Sequence, residues 1–170
     1  RDFVADYVRG RGNAEGLRYF MKGSLDHRST WPAQSVNYVE SHDDLCWLDK
    51  ITERAHRDGR DPTPDDIHRT HLGLAIVFCS IGVPMIAAGQ DFLRSKHGQS
   101  NTHRQGELNE LDYGRLQRFA SSHHYFRQWI RFRASPWGEL LRLPARPTAG
   151  YVRLWGGEGL AAAAVLFNAD

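Results

Sequence analysis

At 170 residues, 41% hydrophobic and 25% charged, the chain holds enough apolar material for one good core, which excludes a disordered segment. The formal net charge of +2 gives no electrostatic case for nucleic acid, and Arg127, Arg131 and Arg133 are read as a solvated outer helix face, not a phosphate patch. No apolar run is long enough to span a membrane.

The two cysteines, Cys46 and Cys79, lack CxxC spacing and read as free thiols of a reducing compartment, which favours a cytoplasmic setting over a disulfide framework or a zinc knuckle. The chain opens at Arg1 with no signal-peptide pattern, so the expectation is that its natural start lies upstream.

Residues 1–10 carry helical apolar spacing (Phe3, Val4, Tyr7, Val8) and stop at Gly10; Asn13 then caps a second predicted helix with Leu17, Phe20 and Met21. After the loop around Trp31-Pro32, residues 35–41 read as a strand covered on both faces, breaking into the polar pair His42-Asp43. Thr63-Pro64-Asp65-Asp66 is a strong helix start, with a capping threonine, proline at the first helical position and two acids facing the helix dipole. The helix is predicted to run through residues 67–81 and to stop at Gly82, where Pro84 opens a second strand, Val83 to Ala88, ending in Gly89-Gln90-Asp91-Phe92. Strand, helix, strand in this order predicts a right-handed parallel unit whose two strand ends share one rim.

Residues 93–113 form a polar loop too long for a simple connector, carrying Arg94, Lys96, Asn101, Asn109 and Asp112, hydrogen-bonding types suited to sugars or phosphates. A helix is predicted over 116–134 with Phe119, His123, Phe126, Ile130 and Arg133 on one side, followed by strands at 151–155 and 160–168 around a glycine-rich turn. No internal repeat or low-complexity segment is present.

From the residues alone, His42-Asp43 fits a site or a strand-end turn stabilised by aspartate equally well. Gln90 and Asp91 fit substrate contacts or bonds to neighbouring loops, and Arg94 and Lys96 fit substrate contacts or ion pairs. Trp31, Trp47 and Tyr113, expected near the same rim, suit stacking on a ligand's ring or packing. Asp65, His68 and His71 share a helix face, but no second helix offers matching carboxylates, so a half-buried face is the better reading than a metal centre.

The run from Val36 to Asp43, followed by Leu48-Asp49-Lys50-Ile51 and then by Gly82 through Lys96, resembles the α-amylase superfamily, glycoside hydrolase family thirteen, and most closely its type I pullulanases. The resemblance covers about residues 1–134, and the remainder resembles the start of the β-sandwich that follows the catalytic barrel. It implies an α/β fold: the C-terminal part of a (β/α)8 barrel over residues 1–135, then the first strands of a β-sandwich over 136–170. The His-Asp pair would end the seventh barrel strand and the Gly-Gln-Asp run the eighth, with Asn101-Thr102, Asn109 and Asp112 at the family's loop positions. Asp44 and His103 depart from the family's usual asparagine and tyrosine.

The implied activity is retaining hydrolysis of α-glucans, with α-1,6 debranching the preferred specificity and an α-glucan polymer or oligosaccharide as partner. Asp43 would stabilise the charged, flattened transition state and His42 would hold hydroxyls of the same sugar. Gln90, Asp91, Arg94, Lys96, Asn101, Trp47 and Tyr113 are the candidate substrate contacts. Retention needs a nucleophile and an acid/base about 5 Å apart; the family carries them after strands four and five, outside this sequence, so the isolated chain is predicted inactive. A barrel also needs roughly 250 residues. The competing reading is a non-catalytic glucan-binding or scaffold module. Neither reading calls for a cofactor or a metal here; any calcium loop of the family would lie upstream.

Overall fold

The computed structural model describes residues 2–23, 25–26, 28–156 and 163–168. Two short helices open it, α1 (Asp2–Val8) and α2 (Ala14–Met21), the second capped by Asn13, whose side chain accepts the Gly16 N–H at 2.7 Å. Strand β1 (Val36–Asn37) follows, then the short helix α3 (Trp47–Ile51) and the long helix α4 (Pro64–Phe78).

The start of α4 is the capping box expected from Thr63-Pro64-Asp65-Asp66: Thr63 Oγ1 accepts the Asp66 N–H at 3.1 Å, and Asp66 accepts the Thr63 N–H at 2.9 Å. The helix ends three residues earlier than predicted, because the Ile81 N–H turns away to the Met21 carbonyl at 2.8 Å. Gly82, at φ +116°, then reverses the chain; a Cβ there would stand 2.7 Å from the Ser35 carbonyl oxygen.

Strand β2 (Val83–Pro84) pairs in parallel with β1, Val36 opposite Val83 and Asn37 opposite Pro84. Val83 and Met85 donate to the Ser35 and Asn37 carbonyls at 2.8 and 2.9 Å, so the position lacking an N–H is the one that faces away from β1. The strand–helix–strand unit therefore forms as expected, although only two residues per strand pair rather than six or seven. Coverage of both faces is corrected: Val36, Val83 and Met85 share one exposed face of this two-stranded sheet.

Helix α5 (Gly106–Asn109) interrupts the polar loop. The predicted helix over 116–134 is two helices, α6 (Gly114–Arg118) and α7 (Ala120–Ala134), broken at Phe119, where the backbone leaves helical values. The Phe119 ring is buried beneath the guanidinium groups of Arg115 and Arg118, 5.0 and 4.9 Å away, so burial of an aromatic side chain wins over helix continuity. Strands β3 (Val152–Gly156) and β4 (Ala163–Phe167) form an antiparallel hairpin. Residues 160–162, expected in its second strand, lie outside the described residues.

The main core joins α1, α2, α3 and α4 with Val39, Leu93 and Phe119. A second cluster unites Leu25, Ile81, Leu141, Tyr151 and Val152. Val165 and Phe167 of the hairpin pack against both, so the apolar interior continues across residue 135.

The expectation that Arg133 belongs to a solvated basic face is overturned. It is buried, and its guanidinium donates to the carbonyls of Phe78 (2.9 Å), Ser80 (2.7 Å), Leu141 (3.0 Å) and Gly82. The chain leaving α4 and the turn after α7 present four backbone acceptors to one point, and a five-donor planar cation satisfies them. Ile130, grouped with Phe126 on one side of the predicted helix, is half-exposed, while Ser122 and Phe126 are buried.

Candidate active site

Beyond the short ladder β1 continues as Tyr38-Val39-Glu40, with Val39 and Glu40 both buried, and then releases His42 and Asp43 to the surface. The two side chains touch, His42 Nε2 to Asp43 Oδ1 at 3.4 Å, and are 90% and 69% exposed. Asp44 next to them takes a left-handed φ of +68°, a conformation aspartate tolerates better than most residues.

Behind this exposed pair lies a buried polar layer. Glu40 accepts the Trp47 N–H at 2.7 Å, and its burial pushes its pKa up to about 7, against the opposing pull of that bond, of Cys46 and of the Arg94 and Lys96 charges. Cys46, beside it, is buried, and burial together with Glu40 and Asp49 raises its thiol well above the usual range. Asp49 of α3 is fully enclosed and accepts three hydrogen bonds, from the Gly59 N–H (3.0 Å), the Ser95 hydroxyl (2.6 Å) and the Lys96 N–H (2.7 Å). Arg115 of α6 closes the same region, donating to the Leu93 carbonyl at 2.9 Å and to the Gly59 and Arg60 carbonyls. Two opposite charges thus hold the segments around residues 59 and 95 together mainly through backbone groups.

The loop after β2 meets the His42-Asp43 turn through Lys96, whose ammonium donates to the Asp44 carbonyl at 3.1 Å and to Thr102 Oγ1 at 3.2 Å. Thr102 donates in turn to Asn109 Oδ1 (2.9 Å), and Arg94 donates to the Asn109 carbonyl (2.8 Å). The two strand ends are therefore joined, as their parallel order requires.

The predicted substrate contacts separate into two groups. Asn101, at a left-handed φ of +53°, and Tyr113, which leans on Phe92 at 5.8 Å between ring centres, are exposed, as His42 and Asp43 are. Asp91 is partly exposed and bonded to His123 at 2.6 Å. Three others are corrected. Trp47 is enclosed, its indole lying over Gly73 so closely that a Cβ there would stand 2.4 Å from the ring; a missing side chain in α4 draws the aromatic inward. Gln90 is buried, accepting the Ala87 N–H at 3.2 Å to close its own turn. Lys96 is buried with its ammonium committed to protein oxygens. Trp31 is corrected too: it lies at the start of the strands, in a cleft of about 390 Å³ with Val83, Pro84, Leu141 and Leu143.

Sequence reasoning missed Glu40, Asp49, Arg115 and Arg133 as buried polar groups. The signal available was a lone acid directly after the run Val36–Val39 and another inside Trp47–Ile51. His71, weighed as a metal ligand, instead bonds Ser122 Oγ at 2.9 Å and stacks on Tyr125, and burial lowers its pKa.

No protein-family model matches the chain. A curated relative, the pullulanase of Bacillus subtilis strain 168, is 34% identical over 135 residues, 72% of this chain. The chain is pullulanase-like. It spans only 18% of that relative's length. Among solved structures, the pullulanase of Bacillus acidopullulyticus superposes with a TM-score of 0.72 at 25% identity, over 86% of this chain and 19% of its own. The Bacillus subtilis type I pullulanase complexed with maltose gives 0.69 at 28% identity, over 86% and 23%. A mutant Paenibacillus barengoltzii pullulanase complexed with maltotetraose gives 0.73 at 25% identity, over 96% and 27%. The pullulanase-like assignment thus rests on sequence and on an α/β fold alike.

Proposed function

We propose that this chain forms one wall of the α-glucan cleft of a pullulanase-like debranching glycoside hydrolase, residues 1–135 belonging to the catalytic (β/α)8 barrel and 136–170 to a following β-sandwich. The observation that carries the reading is the exposed His42-Asp43 pair at the end of β1, its turn tied by Lys96 to the loop that leaves the neighbouring parallel strand.

In this reading the Asp43 carboxylate accepts hydrogen bonds from hydroxyls of the sugar being cleaved, and those bonds strengthen as positive charge develops on the ring. His42 orients the same sugar. Tyr113 offers an aromatic face for a glucose unit, Asn101 an amide, and Asp91 and Arg94 the polar margin. The nucleophile and the acid/base of a retaining reaction come from segments outside these 170 residues. The likeness to pullulanases, one of them solved with maltotetraose, supports α-linked glucose oligomers as ligands and α-1,6 links as the bond cleaved.

Two measurements test this. Titrating maltotetraose into the labelled chain is expected to shift the resonances of His42, Asp43 and Tyr113, and Asp43→Ala is expected to abolish the shifts without lowering stability by more than about 0.5 kcal/mol, since the side chain is largely exposed. Shifts confined to other surfaces would overturn the reading. A reducing-sugar assay of the chain on pullulan and glycogen is expected to show no turnover; release of reducing ends would mean the cleaving carboxyls lie within these residues.

A further inference from the structure

Lys96 carries a charge in a place where a charge is costly. It is 3% exposed, yet its ammonium donates to two neutral oxygens, the Asp44 carbonyl at 3.1 Å and Thr102 Oγ1 at 3.2 Å. Burying an ammonium against neutral acceptors is unfavourable unless the acceptors and the stem are held for it. They are: the Lys96 N–H is fixed by the Asp49 carboxylate at 2.7 Å, and Asp49 is itself braced by Ser95 Oγ and the Gly59 N–H.

The far end of this chain of contacts is the informative one. Asp44 directly follows His42-Asp43 and sits at φ +68°, where a non-glycine residue is strained and keeps its shape only if its surroundings hold it. The carbonyl of that residue is the group the ammonium grips. We infer that Lys96 is a positioning residue: its ammonium, set by Asp49, holds the left-handed turn at Asp44 and so aims the His42-Asp43 pair, without touching the sugar itself.

The inference rests on the glucan-cleft reading for its functional consequence, but the hold on the turn is measurable by itself. Three forms of the chain are compared: the natural sequence, Lys96→Met, which keeps the apolar stem and loses the ammonium, and Lys96→Met with Asp44→Asn, because asparagine adopts the left-handed turn with less strain. Backbone amide exchange, maltotetraose affinity and urea unfolding are read on each. Lys96→Met is expected to speed exchange at residues 42–45 about tenfold or more and to weaken maltotetraose about tenfold, while protection in α4 stays unchanged; Asp44→Asn is expected to restore part of both.

Unchanged exchange at 42–45 overturns the inference, and so does a uniform loss of protection that includes α4, which is what a merely structural lysine would give. Loss of turn protection in a chain whose natural form binds no maltotetraose sustains the hold by Lys96 and sinks the glucan reading instead. Should Lys96→Met not fold, the natural chain still decides: the Lys96 ammonium protons are expected to exchange slowly enough to be seen by 15N-edited NMR and to show contacts to Asp44. An averaged, solvent-exchanged ammonium signal would overturn the assignment.

Discussion

Replacing Glu40 by glutamine isolates the cost of a buried acid two residues before the exposed pair. Glu40 is 2% exposed and its pKa is pushed from an ordinary 4.5 up to about 7, the net of burial against the Trp47 N–H, Cys46, Arg94 and Lys96. Between those two values the unfolded chain has released the proton while the folded chain keeps it, so folding takes up a proton and stability falls as pH rises, by about 1.4 kcal/mol per unit at most. The contribution is fully present below pH 4.5 and lost once the folded group ionises, a total of about 3 kcal/mol. Glutamine is neutral throughout and keeps a carbonyl to accept the Trp47 N–H. The expectation is that Glu40→Gln gains on the natural chain by up to about 3 kcal/mol between about pH 4.5 and pH 7.5, with no further gain above it. Urea unfolding followed by circular dichroism at half-unit intervals reads this difference directly, and every other titrating group cancels in the comparison. Two stability curves that stay parallel within about 0.5 kcal/mol across this range would refute the reasoning.

Arg133→Met should be the most damaging single substitution outside the apolar core, costing about 3–5 kcal/mol in urea unfolding, because four carbonyls lose one shared donor; Arg133→Lys should recover only part of this, having no planar fork to reach all four. Gly98→Ala should cost about 1–3 kcal/mol, since the position combines φ +73° with a Cβ that would fall 2.0 Å from the His56 carbonyl oxygen. Both thiols should react slowly with a disulfide reagent at about pH 8 in the folded chain and rapidly in denaturant, because burial raises Cys79 to about 11 and Cys46 further still; fast labelling of Cys46 in native buffer would contradict the enclosed layer around Glu40.

What the sequence disclosed was local in origin. The Thr63 capping box and the polar break at His42-Asp43 each follow from neighbours within four residues and stand in the structure, whereas the helix expected to stop at Gly82 ends at Phe78 and Pro84 closes the short β2 rather than opening a longer strand. What it hid was set at a distance. Arg133 turns inward to carbonyls 51 to 55 residues away, and Asp49 to accept the Lys96 N–H 47 residues on. Trp47 is drawn from rim to core by a glycine 26 residues later in α4. Periodicity sorts residues by their own face; it carries no record of which distant backbone group will arrive opposite them.

The two kinds of residue also divide the work of the site. His42 and Asp43 are exposed, bonded chiefly to each other, and free to meet a ligand, yet a pair so lightly held would lose its aim through rotamer and turn freedom. Immediately behind them Glu40, Asp49, Lys96 and Arg115 are enclosed and committed to backbone groups on three segments, which fixes the turn at a cost in desolvated charge. Had stability alone shaped this layer, apolar residues of similar volume would have served it as well or better. A buried ammonium that grips the backbone of the residue following an exposed His-Asp pair, its own backbone held by a buried carboxylate, is better accounted for by the geometry it imposes on that pair than by the stability it adds.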